Sequence, residues 1–221
     1  IEGSTRLWER EPGPMRRALA RHDAVSRQAV ATHRGQLVKT TGDGIHAVFD
    51  DAVDALHAVL ALLQALAETP DGEPVLKIRC GLHRGPAQRR DGDYFGPVLN
   101  RAARIMAAAH GGQVLMSQAV ADAVAGRLPA PAALRALGAV RLRDLDAPEP
   151  VHQLLHPALR EAFPPLRALA DTPTNLPQPL NSFVGREREL AELRARLPLT
   201  RLLTLLGMGG IGKSRLSLQL A

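Results

Sequence analysis

Apolar residues recur at helical spacing over residues 51–67, where Val53, Leu56, Val59, Leu60, Leu63 and Leu66 form one wide stripe. That spacing predicts an amphipathic helix. A second helix is expected over residues 15–33. Between these two, residues 36–41 and 45–49 read as the strands of a hairpin. Leu76, Ile78, Cys80 and Leu82 alternate with polar residues, which is strand patterning with one face inward. A polar, Gly-containing loop over residues 89–96 leads into a helix over 98–109. Gly111-Gly112 ends that helix, then residues 113–117 read as a strand and a helix follows to about 126. Residues 140–145 and 151–155 suggest a last hairpin around Asp146-Ala147-Pro148-Glu149-Pro150.

Beyond Pro157 the periodicity fades, and prolines stand at 157, 164, 165, 173, 177 and 179. Residues 157–182 read as a semi-rigid extended linker. After it, residues 186–197 look helical, 201–206 read as an apolar strand, and a final helix follows the glycine-rich run at 207–214. Two units are therefore expected, 1–156 and 183–221, joined by the linker. No internal repeat is visible.

Composition narrows the classes. Hydrophobic residues make up 45% of 221, enough for a packed core. The net charge of +6 would suit nucleic acid, but aromatics are 3% and the positive charge is scattered rather than blocked. It reads as an arginine bias, so any nucleic-acid binding is expected only through domains outside this sequence. One cysteine, Cys80, excludes an intrachain disulfide framework and fits a reducing, cytoplasmic setting. No leader-like segment opens the sequence, and the most apolar run, 52–67, is too short and too polar to span a bilayer, so no membrane association is expected.

Gly207 to Ser214, Gly-Met-Gly-Gly-Ile-Gly-Lys-Ser, fits the phosphate-loop spacing G-x-x-x-x-G-K-[ST]. Gly207 and Gly212 would let successive backbone N–H groups curl round phosphates. Lys213 would reach the β and γ phosphates of ATP, and the Ser214 hydroxyl would bind Mg²⁺. With the preceding Asn181-Ser182-Phe183-Val184-Gly185-Arg186, the segment resembles the opening of the signal-transducing P-loop ATPases (STAND or AAA-like) of large bacterial regulators. It covers only the first strand, loop and helix of such a domain.

In residues 1–156 the chemistry is scattered. Asp43 stands between Gly42 and Gly44, which reads as a hairpin turn, but an acid flanked by glycines could also meet a metal. Lys39, four residues earlier, is one of three lysines in an arginine-dominated chain. Asp93 follows the turn-like Asp91-Gly92, and Asn100 and Arg104 share one helix face. Each alone has an ordinary structural explanation.

Together, "IEGST", "KTTGDG", "GLHRG", "GDYFGPVLNRAARI", "GGQVLMS" and "VRLRDL" resemble the class III adenylate and guanylate cyclase homology domain over nearly all of residues 1–156. The resemblance implies an α+β, ferredoxin-like core that works as a homodimer with sites at the interface. It implies two ions per site, Mg²⁺ or Mn²⁺, held by Asp43 and the backbone carbonyl of Ile1. It also implies that N–H groups of Gly3, Ser4 and Thr5 meet the phosphates, and that Arg143, with Arg141 as a second candidate, grips the triphosphate. Asn100 would orient the ribose, and Arg104 would balance charge on the transferring phosphoryl group. Lys39 and Asp93 would read the purine. A lysine donor suits adenine N1 and an aspartate acceptor suits the exocyclic amine, so ATP is favoured over GTP.

One departure stands out. The family places a first metal-binding aspartate, at the end of an opening strand, immediately before the position of Ile1. The polypeptide as it stands is therefore expected to be weak or inactive, and both ends are expected to continue in a longer protein. The leading expectation is an adenylate cyclase. The alternative is a catalytically degenerate homology domain acting as a dimerising nucleotide sensor in a transcriptional regulator.

Overall fold

The computed structural model describes residues 1–145, 147–167, 185–200, 203–208 and 211–220. The chain divides into two compact units, Ile1–Thr172 and Pro173–Ala221.

The first unit opens with two helices, α1 (Ser4–Arg10) and α2 (Pro12–Thr32), followed by the hairpin β1 (Gln36–Thr41) and β2 (Gly44–Val48). Then come α3 (Ala52–Ala67), β3 (Cys80–Leu82), the short hairpin β4 (Gln88–Arg90) and β5 (Asp93–Phe95), and α4 (Pro97–Ala108). β6 (Val114–Ser117), α5 (Gln118–Val124), β7 (Ala133–Val140) and β8 (Glu149–Leu155) complete it. The central sheet is mixed, in the order β3-β6-β8-β7, with β3 and β6 parallel and the other neighbours antiparallel. This is a mixed α+β architecture.

Each element follows from local chemistry. Asp51 caps α3 by accepting the Val53 N–H at 3.0 Å, satisfying one of the helix's orphan donors. The predicted stripe of α3 buries Leu56, Leu60 and Leu66 against Ile78, Val114, Met116 and Leu154 of the main core. All four residues of β6 are buried, as a strand covered on both faces requires. A second cluster joins Ile105 and Ala108 of α4 to Leu115, Leu142 and Val151.

Three expectations need correction. The last hairpin pairs β7 at 133–140 with β8, so residues 141–145 are a loop. Their alternation is real in burial, since Leu142 is 2% exposed, but Asp144 at φ 58° turns the chain away from the ladder. The polar loop at 89–96 instead contains the β4–β5 hairpin, with Asp91 and Gly92 both at positive φ as a tight two-residue turn demands. Leu76 and Ile78 are buried as the alternation predicts, yet only Cys80–Leu82 pair as strand.

The segment after β8 is anchored rather than extended through its first part. Leu159 and Leu166 pack against the two core clusters, and the Gln153 side chain donates to the Glu161 carbonyl at 2.8 Å. Residues 168–182 of the expected linker lie outside the described residues.

In the second unit α6 (Glu187–Arg196) and α7 (Lys213–Leu220) are helical, with one 3₁₀ turn at Leu197–Leu199. Residues 203–206 are not paired as a strand, unlike the expectation for 201–206. Among the described residues, no helix is long and apolar enough to cross a membrane.

Candidate active site

The β1–β2 hairpin carries two of the predicted groups, Lys39 on β1 and Asp43 at the turn. Gly42 adopts φ 61°, which lets the turn close with Asp43 at its tip. Asp43 Oδ2 is buried, and the Ile1 nitrogen lies 3.2 Å from it. Burial pushes the Asp43 carboxyl up; hydrogen bonding, led by the Ser4 hydroxyl, outweighs it and holds the group below its ordinary range. The turn brings Ile1, Ser4 and Asp43 together, with Gly3 in left-handed conformation at the start of α1. The Asp43 carboxylate, a hard oxygen ligand at a Gly-flanked tip, fits one flank of a hard divalent cation. No group of three acidic, His or Cys side chains able to hold a metal occurs among the described residues.

Lys39 Nζ donates to Asp93 Oδ2 at 2.6 Å across 54 residues of sequence. The Tyr94 N–H fixes the other carboxylate oxygen at 2.7 Å. Hydrogen bonding from Lys39, then from the Tyr94 N–H, keeps the Asp93 carboxyl below its ordinary range. Opposite Lys39 in the ladder stands His46. His46 is half-buried there.

Helix α4 presents Asn100, exposed, and Arg104 one turn on. Its close approach to β3 depends on Gly81, where a Cβ would lie 2.4 Å from Met106 N and 2.7 Å from the Ala102 carbonyl. Arg104 Nη2 donates to Asp144 Oδ2 at 2.5 Å, and Asp144 follows Arg143 directly in the chain. Arg141 and Arg143 are both exposed on the loop after β7, and neither has an ion-pair partner among the described residues. Arg101 pairs with Glu149 at 3.2 Å, steadying the same helix against β8. Asp144 was not singled out from the sequence; its signal was only its place beside Arg143.

His83 and Cys80 sit close to these elements without joining them. The His83 ring bonds the buried Ser117 hydroxyl at 2.7 Å, and burial, with Arg101 nearby, lowers its pKa. Burial pushes the Cys80 thiol up to about 12, so it is an inert core group.

In the second unit Lys213 Nζ donates to the carbonyls of Gly207 and Met208, each at 2.8 Å. Gly212 takes φ 83° and accepts the Leu216 N–H, with Ser214 in the first turn of α7. Residues 209 and 210 of the predicted phosphate loop lie outside the described residues.

The model of the adenylate and guanylate cyclase catalytic domain matches residues 1–143, well over half of the chain. The chain belongs to that family. An uncharacterized protein of Mycobacterium tuberculosis, Rv0891c, is 44% identical over 194 residues, covering 86% of this chain and 66% of the relative. The chain thus spans just under two thirds of that relative's length. Among solved structures, adenylate cyclases from Trypanosoma brucei in their monomeric state match with TM-score 0.68 and 26% identity, covering 76% of this chain and 89% of theirs. An adenylate/guanylate cyclase/hydrolase from Silicibacter pomeroyi matches with TM-score 0.58 and 30% identity over 71% of this chain and 92% of its own.

Proposed function

We propose that the first unit is an adenylate cyclase domain converting ATP to 3′,5′-cyclic AMP and pyrophosphate, within a larger cytoplasmic signalling protein. The observation that carries this reading is the Lys39–Asp93 contact. It sets a cationic donor and an anionic acceptor side by side on a cyclase fold. Such a pair matches the adenine edge and mismatches guanine, whose N1 carries hydrogen and whose O6 accepts.

In the reaction the ribose 3′-oxygen attacks the α-phosphorus in line. The new O3′–P bond forms as the bond to the bridging oxygen breaks, the 3′-hydroxyl proton is lost, and pyrophosphate leaves. Asn100 orients the ribose and Arg104 offsets the charge growing on the phosphoryl oxygens. Arg143 grips the triphosphate, assisted by the N–H groups at Gly3, Ser4 and Thr5. Asp43 and the Ile1 carbonyl hold one flank of the metal site. When bound, Mg²⁺ or Mn²⁺ supplies Lewis-acid chemistry, acidifying the 3′-hydroxyl and neutralising the leaving pyrophosphate. Cyclase domains of this family work as dimers, and on this reading Asn100 and Arg104 serve the partner's Asp43 in a homodimer. The second unit is the start of a P-loop ATPase domain, in which Lys213 and Ser214 take Mg²⁺-ATP.

The second reading is a degenerate, dimerising nucleotide sensor. One observation favours it: Arg104 is held by Asp144.

The deciding experiment measures cyclic AMP from ATP with Mn²⁺ or Mg²⁺ on the protein carrying the residues that precede Ile1. Asp43→Ala and Arg104→Ala each abolish product, and mixing the two variants restores part of it because one of the two hybrid sites is intact. No product from the parent protein, or an unchanged rate in Asp43→Ala, leaves the sensor reading in its place.

A further inference from the structure

The segment after β8 reaches back to the very start of the chain. Arg167 forms a salt bridge to Glu2 Oε1, and its backbone N–H donates to the Ala108 carbonyl at 3.0 Å, at the C-terminal end of α4. The approach is anchored along its length. Leu166 packs on the core cluster of Ile105 and Ala108, the His110 ring bonds the Pro165 carbonyl at 2.9 Å, and His110 stacks on Phe163. Glu2 is equally tied. Its other carboxylate oxygen accepts the Gly111 N–H at 3.2 Å, and its own N–H donates to the Lys77 carbonyl at 2.8 Å. A Cβ on Gly111 would lie 2.6 Å from that carboxylate and 2.5 Å from Lys77 Cβ, so the glycine is what admits Glu2 here.

Glu2 is the residue between Ile1 and Gly3, the two positions assigned to the metal and phosphate side of the site. The other end of the same contact is α4, which carries Asn100 and Arg104. We propose that Arg167 is a positioning residue for the nucleotide site: through Glu2 it fixes the Ile1-Glu2-Gly3 turn, and through Ala108 it ties that turn to α4. The strap 157–167 thus steadies both sides of the site from within the first unit. The inference rests on the nucleotide-site reading above for its consequence, and on the contacts alone for its mechanism.

The test uses the full-length protein with Arg167→Ala, Arg167→Lys, Glu2→Gln and the double variant Arg167→Ala/Glu2→Gln. Backbone hydrogen exchange is read at residues 2–7 and at Gly111. Arg167→Ala is expected to speed exchange there by about two- to fivefold, the range a half-exposed ion pair supports, while exchange within α3 stays as in the parent protein. In turnover, Arg167→Ala and Glu2→Gln each raise KM for ATP by a similar factor with kcat nearly unchanged. The double variant is no worse than either single one, and Arg167→Lys recovers part of the loss. Unchanged exchange at residues 2–7 in Arg167→Ala overturns the proposal, as do additive effects in the double variant. A general rise in exchange across α3 and α4 also overturns it, since Arg167 would then be only a stabilising contact. If the parent protein makes no cyclic nucleotide but exchange responds as expected, the strap stands and the cyclase reading falls.

Discussion

Lys39 Nζ lies 2.6 Å from Asp93 Oδ2, joining the β1–β2 hairpin to the β4–β5 hairpin through their side chains. With no base present, each group satisfies the other, so binding a purine means exchanging this contact for two to the base. Adenine can accept from Lys39 and donate to Asp93 at once. Guanine held in the same orientation would set its N1–H against Lys39 and its O6 against Asp93. Asp93→Asn keeps the shape but offers an amide donor to O6, and is expected to narrow the preference for ATP over GTP by about tenfold, as one charged hydrogen bond allows. Lys39→Ala should weaken ATP use without creating GTP use. Steady-state rates with both nucleotides check this, and equal loss for both in Asp93→Asn would show that the pair does not read the base.

The Arg104–Asp144 pair has a different consequence. Asp144 neutralises part of the charge that Arg104 is meant to bring to the phosphoryl group, and the pair is substantially exposed. Exposed pairs contribute under about 1 kcal/mol, so Asp144→Asn should raise turnover by no more than about fivefold, and the gain should vanish in an Arg104→Ala background. A fall in turnover on Asp144→Asn would mean that Asp144 aims Arg104 rather than restrains it.

Much of this arrangement was legible in the residues. The stripe of α3, the Gly-Asp-Gly turn and the i, i+4 spacing of Asn100 and Arg104 all follow short-range rules that the fold leaves intact. β7 was not legible. Its sequence, Ala-Leu-Arg-Ala-Leu-Gly-Ala-Val, is rich in helix formers and mostly exposed, and it is a strand because it pairs with β8. A bulge between Ala136 and Gly138 breaks even the alternation that would have marked it. The contacts of Glu2 with Arg167 and of Arg104 with Asp144 span 165 and 40 residues. Nothing local encodes such partners, since each is set by the sheet order and by the path of the chain after β8.

Gly81 tests whether the site depends on the depth at which α4 sits. A methyl group there meets backbone atoms of Ala102 and Met106, which cannot rotate away as a side chain can. Gly81→Ala should cost about 1–3 kcal/mol of stability, as overpacking does, and should lift the helix that bears Asn100 and Arg104. Turnover is expected to fall by more than tenfold while ATP binding by Lys39 and Asp93 persists. Calorimetry together with nucleotide titration would check this, and full activity in a stable Gly81→Ala protein would mean that α4 tolerates the shift.

Acid should loosen the start of the chain before it loosens the core. Burial pushes the Glu2 carboxyl up, but Arg167, the Gly111 N–H and Arg79 together hold it below its ordinary range. A carboxylate whose folded pKa is depressed releases its proton more readily in the fold than in the unfolded chain. Its stabilisation is therefore fully present above the ordinary carboxylate range, near pH 4.3 for Glu, and is lost as pH falls through the lower folded value. The melting temperature should stay flat from about pH 7 to 5 and fall below about pH 4. Glu2→Gln should begin lower at neutral pH and converge on the parent protein in acid, because the charge it removes is the one that acid removes. Parallel curves that never converge would show that Glu2 acts by packing and not by charge.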